Sequence, residues 1–586
     1  MSSTDSSSTT PVPFAEPLRR LFRRLHSSPD NIAVALAIIT GIVAGVSAYV
    51  FEKMLHFAQH HTFGLSVEQP LRRRFWIILF PTLGGLITGA ITRWISRDAR
   101  GQGVGEVIFA IRRNKSVISG KAVIGKALAS TATIGTGGSG GPEGPIIQIG
   151  GGVGSMLGRA LRLPPELLRI MVAAGAAGGI SAVLNAPISG VLFAMEVILK
   201  DFVVNAFSLV VLASVSGAVV SHLLLGDQTF LKSPAFALGG NAELFLYAVL
   251  GFLSAGGSVI FVRIMRKVER FFERREGPHE IWMPALGGLG VGLIGWFLPQ
   301  VMGTGIEFMT SVVRSESMFT HAAIAAFFAL ALAKMIATAL SLGSGGSGGL
   351  LMPTFFCGTV LGAVFGLAGH IVFPGLSPYG SYALVGSVAF FAAVTRAPFT
   401  SIILLFEITH DEKVILPAMV ACVIATLSAH NISPLSYEAM RLSKKGLSPE
   451  DLESRGLMAH LSAESIMISP VVTVTEKMTF PELREVIRTT RHTGYPVLND
   501  MGLLTGLLSD SDLHEGVQRG GDPNVLTVSE LMRKNIGTVT RDASLRRAIE
   551  VMNEFGQDRV PVVDNRNPQH LVGLVSRSQI LKALSK

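Results

Sequence analysis

One ionisable side chain stands inside the most glycine-rich stretch of this chain. Residues 135–145 read G-T-G-G-S-G-G-P-E-G-P, and Glu143 is the only acid or base among them. Proline suits the first turn of a helix, so the apolar run 145–157 reads as a helix that starts there. A helix start presents unpaired N–H groups and the positive end of the macrodipole, which favours an anion without any basic side chain. Glycine lets an ion approach the backbone closely. A carboxylate at that depth is costly unless it is protonated or held by donors. Ionised, it can occupy the anion position itself; protonated, it vacates it. Glu143 is therefore expected to be a gate and a proton carrier, the plainer alternative being a cap on its own helix start.

The pattern recurs at residues 343–353, G-S-G-G-S-G-G-L-L-M-P, at an offset of 208 with seven of eleven positions identical. Leu351 stands where the first copy has Glu143, so the acid belongs to one half only. Recurrence before two helix starts argues for an ion site over glycines that merely allow close helix packing. Gly101, Gly103 and Glu106 answer to Gly303, Gly305 and Glu307 at an offset near 202, and Asn185-Ala186-Pro187 with Glu196 answers to Arg396-Ala397-Pro398 with Glu407 at an offset of 211. The halves run from about 32 to 226 and from about 244 to 437. Repeated halves of this kind meet at a site near the bilayer midplane, related by an axis that the sequence leaves open. Glu196 and Glu407 are symmetric and read as structural helix-end carboxylates, while His410 and Asp411 read as interfacial.

The elements that must position these residues are membrane helices. Hydrophobic residues make up 49% of the chain, charged residues 16%, and mean hydropathy is +0.48. Uncharged stretches at 32–51, 75–92, 203–226 and 244–262 match the roughly 17–25 residues that a spanning helix needs. The net charge of +9 is not taken as a sign of nucleic acid, because basic residues cluster beside spans, as with Arg19, Arg20, Arg23 and Arg24. Positive-inside topology then predicts a cytoplasmic N-terminal segment, residues 1–31, without a cleaved signal peptide. Cys357 and Cys422 lie in apolar segments, so neither a disulfide framework nor a zinc site is expected. No Ser-His-Asp set or phosphate-binding lysine loop adjoins the breaks, and the chain does not read as an enzyme.

Past residue 438 the composition turns charged and alternating, a linker (439–462) before a second repeat at 463–515 and 527–586. Each unit opens with a T-V-T run (Thr473 to Thr475, Thr538 to Thr540), continues with an amphipathic helix (Leu483, Val486, Ile487; Ala548, Ile549, Val551, Met552), and returns through strands at Tyr495-Pro496-Val497 or Val560-Pro561-Val562.

The first region resembles the CLC chloride channels and exchangers. The residues that carry the likeness are Gly101-Gln102-Gly103-Val104-Gly105, Gly141-Pro142-Glu143-Gly144-Pro145, Gly349-Leu350-Leu351-Met352-Pro353 and Tyr437. The resemblance implies an all-α polytopic membrane domain of two repeated halves with many tilted or broken helices, spanning 32–438, followed by a cytoplasmic α/β region that resembles tandem CBS domains. It implies transport of chloride or a similar small anion, Glu143 as gating glutamate, backbone N–H groups of Leu350 and Leu351 as anion donors, and the Tyr437 hydroxyl as an inner donor. Gln102 stands where the family commonly has an anion-coordinating serine, which opens the choice among chloride, nitrate and fluoride. Val197 stands where proton-coupled members usually have a glutamate. That substitution favours passive conduction, the alternative being a proton-coupled exchanger; from another class, a CBS-regulated cation channel or symporter would need oxygen ligands that these breaks do not supply. The resemblance further implies a homodimer in a cell membrane, expected to be a bacterial inner membrane with both termini cytoplasmic, no required cofactor, and ATP or AMP at the CBS pair through Ser509, Asp512 and Ser576.

Overall fold

Glycine and alanine faces let the helices of this chain approach one another at backbone contact. In the computed structural model, residues 29–64, 75–200, 204–226, 236, 239–240, 242–274, 280–314, 323–373, 375–447, 462–490, 492–509, 511–513, 526–565 and 567–584 are described. Arg19, Arg20, Arg23 and Arg24 lie outside them. The chain divides into two units, Met1–Pro449 and Glu450–Lys586.

Among the described residues, the elements of the first unit are all helical. Its elements are α1 (Pro29–Gln59), α2 (Trp76–Trp94), α3 (Val104–Arg113), α4 (Gly120–Gly135), α5 (Glu143–Ala160), α6 (Pro165–Leu184), α7 (Pro187–Phe193) with a π-helical continuation (Ala194–Leu199), and α8 (Val204–Leu225). The second half contributes α9 (Glu243–Glu273), α10 (Met283–Phe297), α11 (Ile306–Arg314), α12 (Ala323–Gly343), α13 (Leu351–Val372), α14 (Tyr379–Thr395), α15 (Pro398–Thr409), α16 (Ile415–Ile432) and α17 (Tyr437–Lys444). Among the described residues, eight helical segments are long and apolar enough to cross a membrane, including Asn31–Thr62, Trp76–Trp94, Ala206–Leu225 and Glu243–Glu273, where the uncharged stretches lie. The remainder are shorter, as expected where broken helices line a protected interior.

Equivalent glycines do equivalent work in the two halves. A Cβ on Gly150 of α5 would collide with the carbonyl of Gly175 in α6, and one on Gly358 of α13 with the carbonyl of Gly386 in α14. Across the halves, Gly85 of α2 lies on the Pro284 carbonyl and Gly288 of α10 on the Pro81 carbonyl. Small residues at such crossings are the membrane solution to close packing, where no solvent drives helices together.

Glu196 and Glu407 reveal how the halves are related. Glu407, near the C-terminal end of α15, accepts from the N–H groups of Ile188 and Ser189 at the start of α7 (2.8 and 2.7 Å) and from the Ser189 hydroxyl at 2.5 Å. Glu196, just beyond α7, accepts from the N–H groups of Phe399 and Thr400 at the start of α15 (3.1 and 2.8 Å) and from the Thr400 hydroxyl at 2.7 Å. Each acid satisfies the orphan donors of the other helix start. This reciprocity requires α7 and α15 to run antiparallel, so the second half is inverted relative to the first. The structural role expected of these two carboxylates is the one they have.

The second unit is α/β. In its first module β1 (Val474–Thr475) pairs in parallel with β2 (Gly494–Leu498), which pairs antiparallel with β3 (Leu504–Ser509); β4 (Val539–Thr540), β5 (Arg559–Val563) and β6 (Leu571–Ser576) repeat that order. Register shifts fall at Val497/Leu498 and at Val562/Val563, the same place in both sheets. Helices α18 (Ala463–Ile466) and α19 (Phe480–Thr490) belong to the first module, α20 (Val528–Leu531), α21 (Leu545–Glu554) and α22 (Arg577–Leu584) to the second. Leu545, Ala548, Val551 and Met552 bury the apolar stripe of α21 against Val560, Val562 and Val575. At the start of α20 the Thr527 backbone N–H and hydroxyl donate to Glu530 (2.8 and 3.0 Å) and hold its carboxyl below the usual range. The modules exchange lead-in segments: Ile468 and Leu574 share two backbone hydrogen bonds, as do Leu507 and Arg533.

Glu407→Ala would leave the N–H groups of Ile188 and Ser189 without acceptors. It is expected to destabilise the first unit by about 1–3 kcal/mol, read as a lower melting temperature in detergent, with Glu407→Gln losing less because it keeps one acceptor oxygen.

Candidate anion site

The two glycine-rich breaks meet each other. Gly141 donates to the Gly349 carbonyl at 3.0 Å and Gly349 donates back to the Gly141 carbonyl at 2.6 Å. These glycines are repeat equivalents at the offset of 208, so the local two-fold passes between them. The preceding loops join in the same symmetric manner. Gly101 donates to Gly346 (2.9 Å) and accepts from Gly348 (3.1 Å), while Gly303 donates to Gly137 (3.2 Å) and accepts from Gly140 (3.3 Å). Side chains follow suit, with Ser130 and Ser347 hydroxyls 2.8 Å apart and Ser139 and Thr338 hydroxyls 2.9 Å apart.

This stitching gathers the starts of α3, α5, α11 and α13 around one centre. Gly103 caps α3 with φ +91°, a conformation that glycine adopts freely, and any Cβ there would strike the Gly144 carbonyl. The first bond inside α13 runs from Thr354 N–H to the Leu350 carbonyl at 3.0 Å. The N–H groups of Leu350, Leu351 and Met352 thus precede the helical ladder and are the orphan donors of that helix start. Leu350 and Leu351 are themselves buried.

Glu143 is 1% exposed, and neither carboxyl oxygen has a hydrogen-bond partner. Its nearest backbone donors are its own N–H and that of Met352 in the opposite half. Oε2 lies 3.1 Å from where a Cβ of Gly349 would stand. The acid therefore stands between two helix starts, its own at α5 and that of α13 in the opposite half.

Tyr437 opens α17, is 2% exposed, packs in a cluster with Leu350, Met265 and Phe390, and turns its hydroxyl toward Gln102. Gln102 is equally buried, and its Nε2 donates to nothing. Leu350 and Tyr437 thus share one cluster, Gln102 faces Tyr437, and Glu143 stands beside Gly349, which immediately precedes Leu350. On the other side of the two-fold a cavity of about 880 Å³ is lined by Glu52, His56, Gly303, Thr304, Glu307, Pro142 and Met352. Gly303 and Thr304 are the repeat counterparts of Gly101 and Gln102, so the inverted repeat puts Gln102 with Tyr437 at one end of the centre and this cavity at the other.

Two residues that the motif reading passed over are Lys126 and Lys334, both 0% exposed. Lys126 Nζ donates to the carbonyls of Ala99 (3.2 Å) and Gly101 (2.5 Å), and Lys334 Nζ to those of Val301 and Gly303 (both 2.9 Å). They are separated by the same offset of 208 as the breaks, a signal that extending the repeat comparison upstream would have found. The expectation of a site free of basic side chains is modified accordingly: both lysine side chains are buried behind the breaks, their Nζ atoms turned onto loop carbonyls.

Ser509, Asp512 and Ser576 lie in the second unit. Ser509 donates from its N–H (2.9 Å) and hydroxyl (2.5 Å) to Asp512, whose other oxygen accepts from Arg533 at 2.5 Å. Ser576 donates to Gln579 in the equivalent way, at 2.8 and 2.9 Å. Among the described residues no group of three or more His, Cys, Asp or Glu is placed to hold a metal.

Residues 84–430 match the voltage gated chloride channel family, and residues 463–518 and 528–586 each match a CBS domain. The chain belongs to the CLC family. It is 28% identical over 614 residues to the chloride channel protein CLC-f of Arabidopsis thaliana, covering 91% of this chain and 77% of that one. It is 29% identical over 425 residues to the H+/Cl− exchange transporter ClcA of Klebsiella pneumoniae, covering 70% of this chain and 88% of that one. The fold matches the crystal structure of a slow cyanobacterial Cl−/H+ antiporter with a TM-score of 0.65 at 22% identity, over 72% of this chain and 98% of that one. This CLC protein is accordingly a multi-span membrane protein for anion transport with a C-terminal CBS pair, and its relatives are transport proteins.

A Cβ on Gly349 would meet the Gly144 nitrogen at 2.6 Å and the Gly141 carbonyl at 3.0 Å, both backbone. Gly349→Ala in this CLC protein is expected to open the paired breaks and lower chloride flux in liposomes by about tenfold or more, as about 1.4 kcal/mol or more of displaced backbone pairing would produce. Flux equal to wild type would show that the pairing does not shape the path.

Proposed function

We propose that the first unit carries chloride, or a small anion of similar character, past backbone donors of Leu350 and Leu351 and side-chain donors of Gln102 and Tyr437, with Glu143 as the gate. The observation that carries the proposal is the placement of the Glu143 carboxylate: buried, with neither oxygen in a hydrogen bond, between its own helix start and that of the opposite half. An ionised carboxylate there takes the position a permeant anion needs and screens the same N–H dipoles. Protonation removes that competition, so flux rises as pH falls. Partial charges from helix starts bind an anion and still release it, which suits throughput. The amines of Lys126 and Lys334 donate to the loop carbonyls of Ala99, Gly101, Val301 and Gly303, which occupies oxygens that a permeant cation would need and supports the anion reading over the cation channel.

Val197 is 5% exposed and carries no proton. Taken by itself it favours passive conduction; coupled exchange needs another acid on the Tyr437 side. The relatives are named both ways, as channel and as exchange transporter. We further propose two copies with one pathway each, in a membrane where both termini face the cytoplasm, and an adenine nucleotide at the CBS pair, with Ser509 and Asp512 on ribose and Ser576 on the second, less complete site.

In liposomes containing the purified protein, wild-type chloride flux is expected to rise on acidification, by up to about tenfold per pH unit while Glu143 titrates. Glu143→Gln keeps the flux and flattens its pH dependence; a variant as pH-sensitive as wild type would remove Glu143 from the gate. Calorimetric titration with ATP and AMP is expected to show binding that weakens about tenfold or more in Asp512→Ala, the loss of one charge-assisted hydrogen bond being about 1.5–3 kcal/mol. Equal binding by both proteins would place the nucleotide elsewhere.

A further inference from the structure

The chain has four tryptophans, and they stand at the four ends of one helix pair. Trp76 and Trp94 bound α2, Trp282 immediately precedes α10, and Trp296 is next to its last residue. The two helices pack antiparallel: Gly85 lies on the Pro284 carbonyl, Gly89 on the Ile281 carbonyl and Gly292 on Ile78. Trp94 and Trp282 therefore share one end, Trp76 and Trp296 the other. The 19 residues of α2 rise about 28 Å, close to the thickness of a bilayer's hydrocarbon core, and tryptophan collects at both boundaries of that core. Trp94 is 76% exposed and Trp282 58%, so their shared end sits at headgroup level.

Three arginines meet at that end around one acid. Arg93 Nη1 and Arg97 Nη2 lie 3.4 and 3.5 Å from the same Glu280 oxygen, Oε2, and Arg100 Nη1 lies 3.8 Å from Oε1. The backbone contact of Gly89 with Ile281 keeps Glu280 beside the last turn of α2. Asp98, the acid of the same segment, interacts with Glu106 and Lys445. Three positive charges thus face one negative charge. Arg93 is half exposed and Arg97 mostly exposed. Ion pairs of that length and exposure are weak, so both guanidinium groups can turn onto a stronger acceptor. Arg100 is placed differently. Its guanidinium covers Gly345, where a Cβ would meet Nε at 2.7 Å, and the next residue, Gly101, donates to the Gly346 carbonyl. The arginine cluster therefore lies on the Gln102 and Tyr437 side of the centre, joined through Arg100 to the second break.

We propose that Arg93 and Arg97, flanked by Trp94 and Trp282, bind the phosphate of an anionic phospholipid in the leaflet on the Tyr437 side. The planar forks of two guanidinium groups match phosphate oxygens, and basic residues at the bilayer surface attract anionic headgroups. The exposed indoles supply what a free phosphate could not use, an apolar face for the glycerol and upper acyl chain. A bound phosphate takes Arg93 and Arg97 from Glu280 and leaves that carboxylate to Arg100, which steadies the loop leading into Gly101. The site uses none of the residues of the anion path.

The test is lipid retention by the purified full-length protein in detergent, read by native mass spectrometry with phosphatidylglycerol, phosphatidylcholine and inorganic phosphate as probes. Wild type is expected to retain phosphatidylglycerol at least about tenfold better than phosphatidylcholine. Arg93→Gln combined with Arg97→Gln lowers that retention by at least about tenfold, from about fivefold per arginine. Lys115→Gln combined with Lys121→Gln, which removes two exposed cations elsewhere in the unit, leaves it within about twofold. Glu280→Gln removes the competing carboxylate and raises it. Should the arginine pair not fold, Arg97→Gln alone carries the test with a loss of about fivefold. Equal retention of the two lipids by wild type, full retention by the arginine variants, or an equal loss in the lysine pair would overturn the inference. Inorganic phosphate competing as well as the lipid at equal concentration would overturn it too, by making the ligand a free anion.

Discussion

The interaction on which the rest depends is the reciprocal backbone pair between Gly141 and Gly349. Two chain segments, each interrupted before a helix, satisfy one another's main-chain groups in a region where water cannot do so, and unsatisfied groups there are costly. Because the partners are repeat equivalents, the pair also fixes the two-fold. Once it is made, the starts of α5 and α13 must face a common centre. No side chain larger than hydrogen fits at Gly349 without displacing backbone, so the composition of the breaks follows from geometry as much as from affinity for an ion.

Charge is distributed around that centre according to what each group can release. Helix starts offer partial positive charge with no counter-proton and no tight ion pair. The side-chain amines of Lys126 and Lys334 are spent on carbonyls of Ala99, Gly101, Val301 and Gly303, where they hold the loops in place. Glu143 is the exception to the two-fold, since its counterpart is Leu351, and an asymmetric acid in a symmetric frame gives the path a side on which protonation matters.

The CBS pair follows the same constructive rule at another scale. Two short modules exchange lead-in segments through Ile468 with Leu574 and Leu507 with Arg533, so neither sheet is finished without the other. Asp512 is already committed to Ser509 and Arg533, and a ligand's ribose would have to compete for a carboxylate that is satisfied at home. Gln579 takes the acid's place in the second module and reproduces its cap on Ser576 with a neutral amide, which preserves the fold while withdrawing the charge.

Much of this was legible in the residues. Membrane spans follow from uncharged length, the two halves from the recurrence of G-x-G-G-S-G-G at a constant offset, and the role of Glu196 and Glu407 from their symmetry. These are local or periodic features, and local chemistry determines them. What the chain order could not supply was which atoms face each other. Nothing in the motif of Glu143 says that its carboxylate lies on the opposite half's helix start, because that depends on the direction of the two-fold, and a repeat in sequence is equally compatible with a parallel or an inverted partner. Lys126 and Lys334 look like ordinary basic residues until packing buries them against carbonyls 25 to 33 residues away. Glu438 resembles the first acid of a polar tail, and only the folded arrangement of α17 against α3 and the turn ending at Lys200 removes it from water. Sequence by itself settled the solvent, the repeat and the residue types available for an anion; the tertiary fold decided which of them share one centre, since burial and facing are properties of distances that no single segment contains.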